Sequence, residues 1–599
     1  MTLHSIWSRA RIVLCLLVLS HAQLVHANTT AAVPEDRKQA HDAALKTSNG
    51  TPFLVPAGWT RGDDGALIVL SAPDSDARIA ITEVAAPSAD EAIAQGWQQL
   101  RRERVPVLKE SRDRPARFGW SHVRSHRYED AREPDRWVRV LAMRDGHLWT
   151  VLFMDLSSSA MERRESQVTR VISSLRARHF VAPTLAGTPV RDLDAARIDA
   201  LRAFLDDARK RLAIPGAALG IVQNGKVKFA GGLGVREIGS DRTVDASTLF
   251  LTASITKPLT SLLLAKLVDN GRIGWDTPVR QAMPAFKVGD PTLSGRIRIR
   301  HLLCACTGIP PRDMEWIFSG ETMRAQDVIS VLGRVEPTAG IGELYQYSNL
   351  MAAVGGIVGG HVAEPAQPLD AAYDLAMQRL VLDPLGMSST TFDFDVAERG
   401  DHARPHGVTA EGRTVAVPMD FNRTGMAMRA DGGAWSNVDD LVRYLQMELA
   451  HGRLPDGRRY IGRAALEERY KAQVARGGLD QWYGMGLKTD RQRGILQVRH
   501  GGNMAGYQGE IFWLPEHDAG FVLLMNADAG SHLRSLFVDR FIETLFETDL
   551  GTSRTLEGLA DSLHDERTEK RKSLEIPVNA QILAQLASRY THPKLGTIE

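Results

Sequence analysis

The chain has 599 residues, 73 lysines and arginines against 72 aspartates and glutamates, and a formal net charge of +1. With 24% charged and 43% hydrophobic residues it has the composition of a globular protein, and its near balance of charge leaves no basic field with which to hold nucleic acid. A chain of this length is expected to divide into more than one folding unit.

Residues 1–27 read as a cleavable secretory signal. Arg9 and Arg11 precede an apolar run from Ile12 to Leu19, and Val25-His26-Ala27 has the small-residue spacing of a cleavage site after Ala27. That run is short for a span, and no other stretch approaches the ~20 apolar residues of a transmembrane helix. No stable membrane span is therefore expected after cleavage. Residues 28–48 are polar and alanine-rich, as a tether would be.

Residues 49–180 have the pattern of a small, separate α+β unit. Strands are expected at Leu67 to Leu70, Arg78 to Val84, Trp120 to Tyr128, Trp137 to Met143 and Leu148 to Asp155. Helical spacing marks Asp90 to Arg104 and Ser159 to Leu175. The expectation is an antiparallel sheet with helices on one face. No cluster of ionisable residues in the unit points to catalysis, so a binding, positioning or solubilising role is expected. Residues 181–190, with two prolines and a glycine, form the linker.

The main unit, residues 191–548, opens with an amphipathic helix from Asp192 to Leu212 and a strand and hairpin through Ile214-Pro215-Gly216 and Asn224-Gly225-Lys226. Strand-like Ser247 to Leu251 then leads into Ser254-Ile255-Thr256-Lys257. Leu259, Leu262, Leu263, Leu264, Leu267 and Val268 follow at the spacing of one buried helix face. Ser254 is thus expected at a helix N-terminus, with the Lys257 amine one turn on. A serine hydroxyl becomes nucleophilic only when a neighbour takes or holds its proton, and a helix N-terminus favours the resulting anion.

Once Cys15 is removed with the signal, Cys304 and Cys306 are the remaining cysteines, too few for a disulfide framework. Two cysteines one residue apart seldom reach bridging geometry. Burial as small side chains is the preferred reading, and a strained link in a turn the alternative. A metal site with His301 lacks a fourth ligand, and no H-x-x-E-H or H-E-x-x-H spacing occurs. Gly355, Gly356, Gly359 and Gly360 suggest close helix packing rather than a phosphate cradle. A closing helix is expected from Ser531 to Glu547. Residues 549–599 read as a charged, solvated connector (Asp561 to Lys572) followed by one strand of an incomplete β extension.

Ser254-Ile255-Thr256-Lys257, Tyr347-Ser348-Asn349 and His500-Gly501-Gly502 together resemble the motif triplet of the serine β-lactamase and penicillin-binding-protein superfamily. The Tyr347 form looks most like the class C branch and its relatives among D-aminopeptidases, DD-carboxypeptidases and esterases. The likeness extends over roughly residues 190–548. It includes Arg300-His301-Leu302-Leu303 with Thr307-Gly308-Ile309-Pro310, Pro384-Leu385-Gly386-Met387, Gly432-Gly433-Ala434-Trp435-Ser436, and the stretch from His500 to Pro515.

The resemblance implies an α+β, β-lactamase/transpeptidase-like fold: an antiparallel sheet flanked by helices, beside an all-helical part. It implies Ser254 as nucleophile, Lys257 as holder or acceptor of its proton, and Tyr347 as general base, its proton loss eased by the cations of Lys257 and His500. Asn349 would bind the substrate amide or the Lys257 amine. The backbone N–H groups of Ser254 and Asn503 would form the oxyanion hole. No cofactor or metal is implied.

Where the family carries Lys-Thr-Gly, this chain has His500-Gly501-Gly502. That removes a hydroxyl and a permanent charge, opens the pocket, and leaves His500 cationic only part of the time near neutral pH. The expectation is an exported, periplasmic or secreted serine hydrolase acting on small peptide, amide or ester substrates, peptidoglycan-derived ones among them, with weak β-lactamase activity at most. The alternative is a catalytically silent relative that binds cell-wall fragments or a partner protein.

Overall fold

The computed structural model describes residues 41–599, apart from residues 102–103, 319–321, 410, 573, 575–577, 593–595 and 599. The expected signal peptide and the first part of the expected tether lie outside the described residues. Ala43–Lys46, expected within the tether, instead forms a strand paired with Pro52–Val55.

The first unit is built on a seven-stranded antiparallel sheet in the order Thr60–Asp64, Leu67–Ser71, Ala77–Ala85, Leu148–Ser157, Arg136–Asp145, His122–Glu129, Val107–Arg114. Its helices do not share a face. Ser158–Ser174 packs Val168 and Val171 on Ile79, Ile81, Leu152 and Met154. Ala89–Gln99 packs Ala92, Ile93 and Trp97 on Ala80, Val140, Val151 and Phe153. Residues 151–154 thus alternate between two cores, and a sheet apolar on both sides needs a cover on each.

The second unit carries an eight-stranded antiparallel sheet, in the order Lys226–Gly234, Gly216–Gln223, Ala519–Met525, Tyr507–Leu514, Gln497–Met504, Lys488–Asp490, Gln481–Tyr483, Val474–Ala475. Alternation again divides the side chains. Ala217, Leu219, Ile221, Phe521 and Leu523 face the helices Ala195–Arg211 and Gly530–Phe546. Ala218, Val222, Val522 and Leu524 face the helical part, which includes Thr256–Asp269 and Val438–Leu449. This is the antiparallel sheet with flanking helices and a helical part that the resemblance implied.

Two local features bring the site together. Helix Asn349–Ala363 lies against the short helix Arg429–Gly432, because Gly356 has no side chain: a Cβ there would stand 2.2 Å from the Cβ of Ala430. Strand Phe250–Leu251 pairs antiparallel with Trp435–Ser436, so Thr252, just after the first strand, and Ala434, just before the second, become neighbours. The two units touch where Arg170 Nη1 donates to the Gly478 carbonyl at 2.8 Å and Ser166 Oγ to that of Ala475 at 3.4 Å.

Among the described residues no helix is long and apolar enough to cross a membrane. The expected connector is one helix, Thr552–Lys572. The expected lone terminal strand is instead a pair, Tyr590–His592 with Gly596–Ile598, which supplies the backbone partners a single strand lacks.

Candidate active site

Ser254 lies in a 3-10 turn, Ala253–Ile255, that runs into helix Thr256–Asp269. The turn is tight: Ala253 has φ +49°, in the left-handed region that a residue with a Cβ enters at a cost. The segment at 434 holds it there. The backbone N–H and the hydroxyl of Thr252 both donate to the Ala434 carbonyl, and the Ala434 N–H donates to Thr256 Oγ1. The helix is buried on all sides rather than along one face, and Lys257 is 1% exposed.

The Lys257 ammonium is surrounded by acceptors. Nζ lies 3.1 Å from Ser254 Oγ, 2.8 Å from Asn349 Oδ1, 3.0 Å from the Asp431 carbonyl and 2.9 Å from Asp431 Oδ2. It sits 4.8 Å from the centre of the Tyr347 ring. Burial disfavours its charge, but Asp431 and Tyr347 outweigh burial, and the amine is held above the ordinary lysine value. Asn349 is oriented from its other end, where Nδ2 donates to Asp313 Oδ1 at 3.1 Å. The Tyr347 hydroxyl is enclosed and closes no hydrogen bond of ordinary geometry among the described residues.

On the far wall is strand Gln497–Met504. A Cβ on Gly502 would stand 2.1 Å from the Thr252 carbonyl oxygen, so only glycine lets this strand run against the Ser254 turn. Gly501 is different: a Cβ there would meet Arg534 Nη1 at 2.4 Å and Glu510 Oε2 at 2.7 Å. The space that Gly501 was expected to open is therefore filled by a guanidinium and a carboxylate. Arg534 Nη1 also donates to the Gly502 carbonyl at 3.0 Å.

His500 is 1% exposed, with its ring 6.2 Å from that of Tyr347. Burial, reinforced by Lys488 and Lys257, pushes its pKa well below the usual histidine value. The expectation of a part-time cation is thus overturned: a buried imidazole beside two lysines stays neutral. Asn503 is exposed, and its side-chain oxygen accepts from Gln508 Nε2.

Beside this strand lies a group of cations. Lys488 pairs in register with Arg499, and both lie within electrostatic reach of Arg476, Arg534 and Glu510. Burial among these charges lowers the Lys488 pKa to about 7.

The cysteines are bridged, overturning the preferred reading of free buried thiols. The Cys304 and Cys306 Cα atoms are 5.1 Å apart, a reach made possible by the intervening Ala305 at φ +52°. The bridge packs with Val474, Tyr483, Tyr345 and Tyr347, and so forms part of the wall behind the phenol.

The structure gathers Ser254, Lys257, Tyr347, Asn349 and His500 from three distant segments. Asp431, Tyr483, Lys488 and Arg534 join them without having been singled out. Asp431 had a usable signal, since it immediately precedes the Gly432-Gly433 pair that the resemblance had already marked.

The family model described as beta-lactamase matches residues 201–537. The chain is similar to the unguisins hydrolase ungD of Aspergillus violaceofuscus, 30% identical over 353 residues that cover 54% of this chain and 60% of that protein. It is also similar to penicillin-binding protein 4 of Amycolatopsis lactamdurans, 26% identical over 57% of this chain and 88% of that one. The chain thus spans about three fifths of the fungal protein's length and most of the bacterial one's. Among solved structures, the octameric penicillin-binding protein homologue from Pyrococcus abyssi aligns with a TM-score of 0.48 and 24% identity, over 55% of this chain and 74% of that one.

Proposed function

The chain belongs to the beta-lactamase family, and from that premise we propose that it is an exported serine hydrolase that opens peptide, amide or ester bonds through an acyl intermediate on Ser254. The observation that carries this reading is the 3.1 Å contact between Lys257 Nζ and Ser254 Oγ, inside a ring of acceptors that keeps the amine in place.

In the proposed acylation Tyr347 acts in its phenolate form: the Ser254 hydroxyl gives up its proton to the phenolate oxygen as Oγ bonds to the carbonyl carbon. The carbonyl electrons move onto oxygen, facing the N–H groups of Ser254 and Asn503. Collapse breaks the bond to the leaving amine or alcohol, which takes the proton back from Tyr347. Water then repeats the sequence on the ester and releases the acid. Lys257 donates to Oγ throughout and steadies it as it becomes anionic.

The Lys488, Arg499 and Arg534 cations support substrates with a free carboxylate, as at a D-Ala terminus, although the motif tripeptide itself lacks a charge. The fungal relative's name supports hydrolysis, and the Cys304–Cys306 bridge supports an oxidising compartment and hence export.

The test is covalent labelling of the purified protein with a fluorophosphonate and a penicillin probe, with Ser254→Ala as the blank. Alongside it runs a panel of p-nitrophenyl esters, D-amino-acid amides, DD-dipeptides and nitrocefin. Labelling that persists in Ser254→Ala, or turnover of nothing in the panel, removes the proposal.

A further inference from the structure

The buried partner of Lys257 carries a consequence for which group moves the proton. Asp431 has 11% of its side chain exposed and Lys257 has 2%, and they form an ion pair at 2.9 Å. Asp431 approaches the amine twice, through Oδ2 and through its own carbonyl oxygen at 3.0 Å. Two further oxygens, from Asn349 and Ser254, complete the shell. All four partners are oxygens, and the three that are carbonyl or carboxylate oxygens can only accept, which is the pattern expected around an ammonium. Other titratable groups face the pair from each neighbouring element. Tyr347 is packed against Lys257, Asp313 acts on Asp431 and reaches Lys257 through Asn349, His500 stands across the cleft, and Tyr373 lies behind Asp431.

We propose that Asp431 is a positioning residue that holds Lys257 in its charged, hydrogen-donating form, so that the Ser254 proton has to pass to Tyr347. This rests on the acyl-enzyme reading above and deepens it by naming the residue that keeps Lys257 a donor. An ammonium has no electron pair with which to accept the serine proton. Its role is to donate to Oγ, while the O–H bond of Ser254 breaks towards the phenol oxygen, and that bond is remade at the leaving group. Without the carboxylate the buried amine sheds its proton more readily and can act as the base itself, which lowers the pH that activity needs.

The experiment is the pH profile of kcat/KM on p-nitrophenyl butyrate for wild type, Asp431→Asn, Asp431→Ser and Asp431→Glu, with folding checked by circular dichroism. The two charge-removing variants should move the acid limb down by about one pH unit or more, and Asp431→Glu should return it towards wild type. Lower rates with an unmoved limb would reduce Asp431 to a structural part and overturn the proposal. A second readout needs no turnover: the ε-13C resonance of Lys257 in lysine-labelled protein, assigned with Lys257→Arg. It should stay at its ammonium position through pH 10 in wild type and titrate lower in Asp431→Asn. Identical titrations would overturn the role of Asp431. A wild type that turns over and labels nothing would instead sink the hydrolase reading, and the resonance would still decide on the ion pair.

Discussion

The Tyr483 hydroxyl lies 3.0 Å from Nε2 of His500, while Nδ1 of the same ring lies 2.9 Å from the Gly501 carbonyl oxygen. A carbonyl can only accept, so Nδ1 carries the proton and Nε2 accepts from the phenol. The imidazole is thereby fixed as one neutral tautomer, with no proton to offer or take near neutral pH.

Stability should record this. His500 has a folded-state pKa well below its unfolded value, by burial first and then by Lys488 and Lys257. Above about pH 6.5 the ring is neutral in both states and contributes no slope. As the pH falls below that, the unfolded chain takes up a proton that the native state refuses, and stability drops by up to about 1.4 kcal/mol per pH unit. Urea unfolding between pH 7 and 5 should include this slope, and His500→Gln should reduce the total by that share, since other buried histidines such as His301, His402 and His406 contribute in the same direction. Tyr483→Phe leaves Nε2 without its donor and should cost about 1–3 kcal/mol at pH 7.

Gly502 and Gly501 should respond differently to the same change. Alanine at 502 meets the Thr252 carbonyl, which is backbone and cannot rotate away. The strand must therefore retreat from the Ser254 turn. Misplacing one oxyanion donor costs about 3–4 kcal/mol of barrier, so kcat on a reactive ester should fall about 10²–10³-fold. Alanine at 501 displaces the flexible end of Arg534, and kcat should fall far less. Equal losses in the two variants would contradict the geometry.

Lys488 should make recognition of a carboxylate pH-dependent. With a pKa of about 7 it is charged below that pH and neutral above it. KM for a D-Ala-terminated peptide should therefore rise as the pH passes upward through 7, while KM for an uncharged ester stays level. Lys488→Met should raise the first KM at pH 6 and leave the second alone, as steady-state kinetics on the two substrates will show.

Opening the Cys304–Cys306 bridge should affect rate more than stability. The closed loop is so short that the bridge removes little freedom from the unfolded chain, about 1.5 kcal/mol by loop entropy. The bridge nevertheless packs behind Tyr345 and Tyr347. The Cys304→Ser/Cys306→Ser double variant should lose no more than that in urea unfolding. Its kcat/KM should fall several-fold, as the phenol loses part of its support.

Much of the site could be read from the chain because each piece is declared locally. Ser254 and Lys257 are one helical turn apart, and Tyr347 and Asn349 flank a helix start. His500 heads a glycine-rich strand. Asp431, Tyr483, Lys488 and Arg534 carry no such declaration, since each reaches the centre through tertiary packing, from a short helix, two strands and the closing helix. The same limit explains the misplaced helices of the first unit: Ala80 and Ile81 look equally apolar in sequence, and only the register of the sheet sends them to opposite cores. It also explains the bridge, because spacing alone does not reveal that Ala305 adopts a left-handed turn. Edge strand Val107–Arg114 escaped notice because it is polar and exposed nearly throughout.

At the seam between the two units, Arg170 and Ser166 reach across to carbonyl oxygens at Gly478 and Ala475. Every amino acid supplies a carbonyl, so the two hydrogen bonds of this joint read only backbone, and the demand on the facing segment comes from its shape: Gly477 has φ +58°, and a Cβ on Gly478 would stand 2.6 Å from Gln481 Cδ. Ala475, whose neighbour Val474 packs with Tyr345 and Tyr347, can then change without loosening the anchor, whereas the two glycines cannot. The two halves thus stay joined through main chain, and the fixed points of the seam are its glycines rather than its larger side chains.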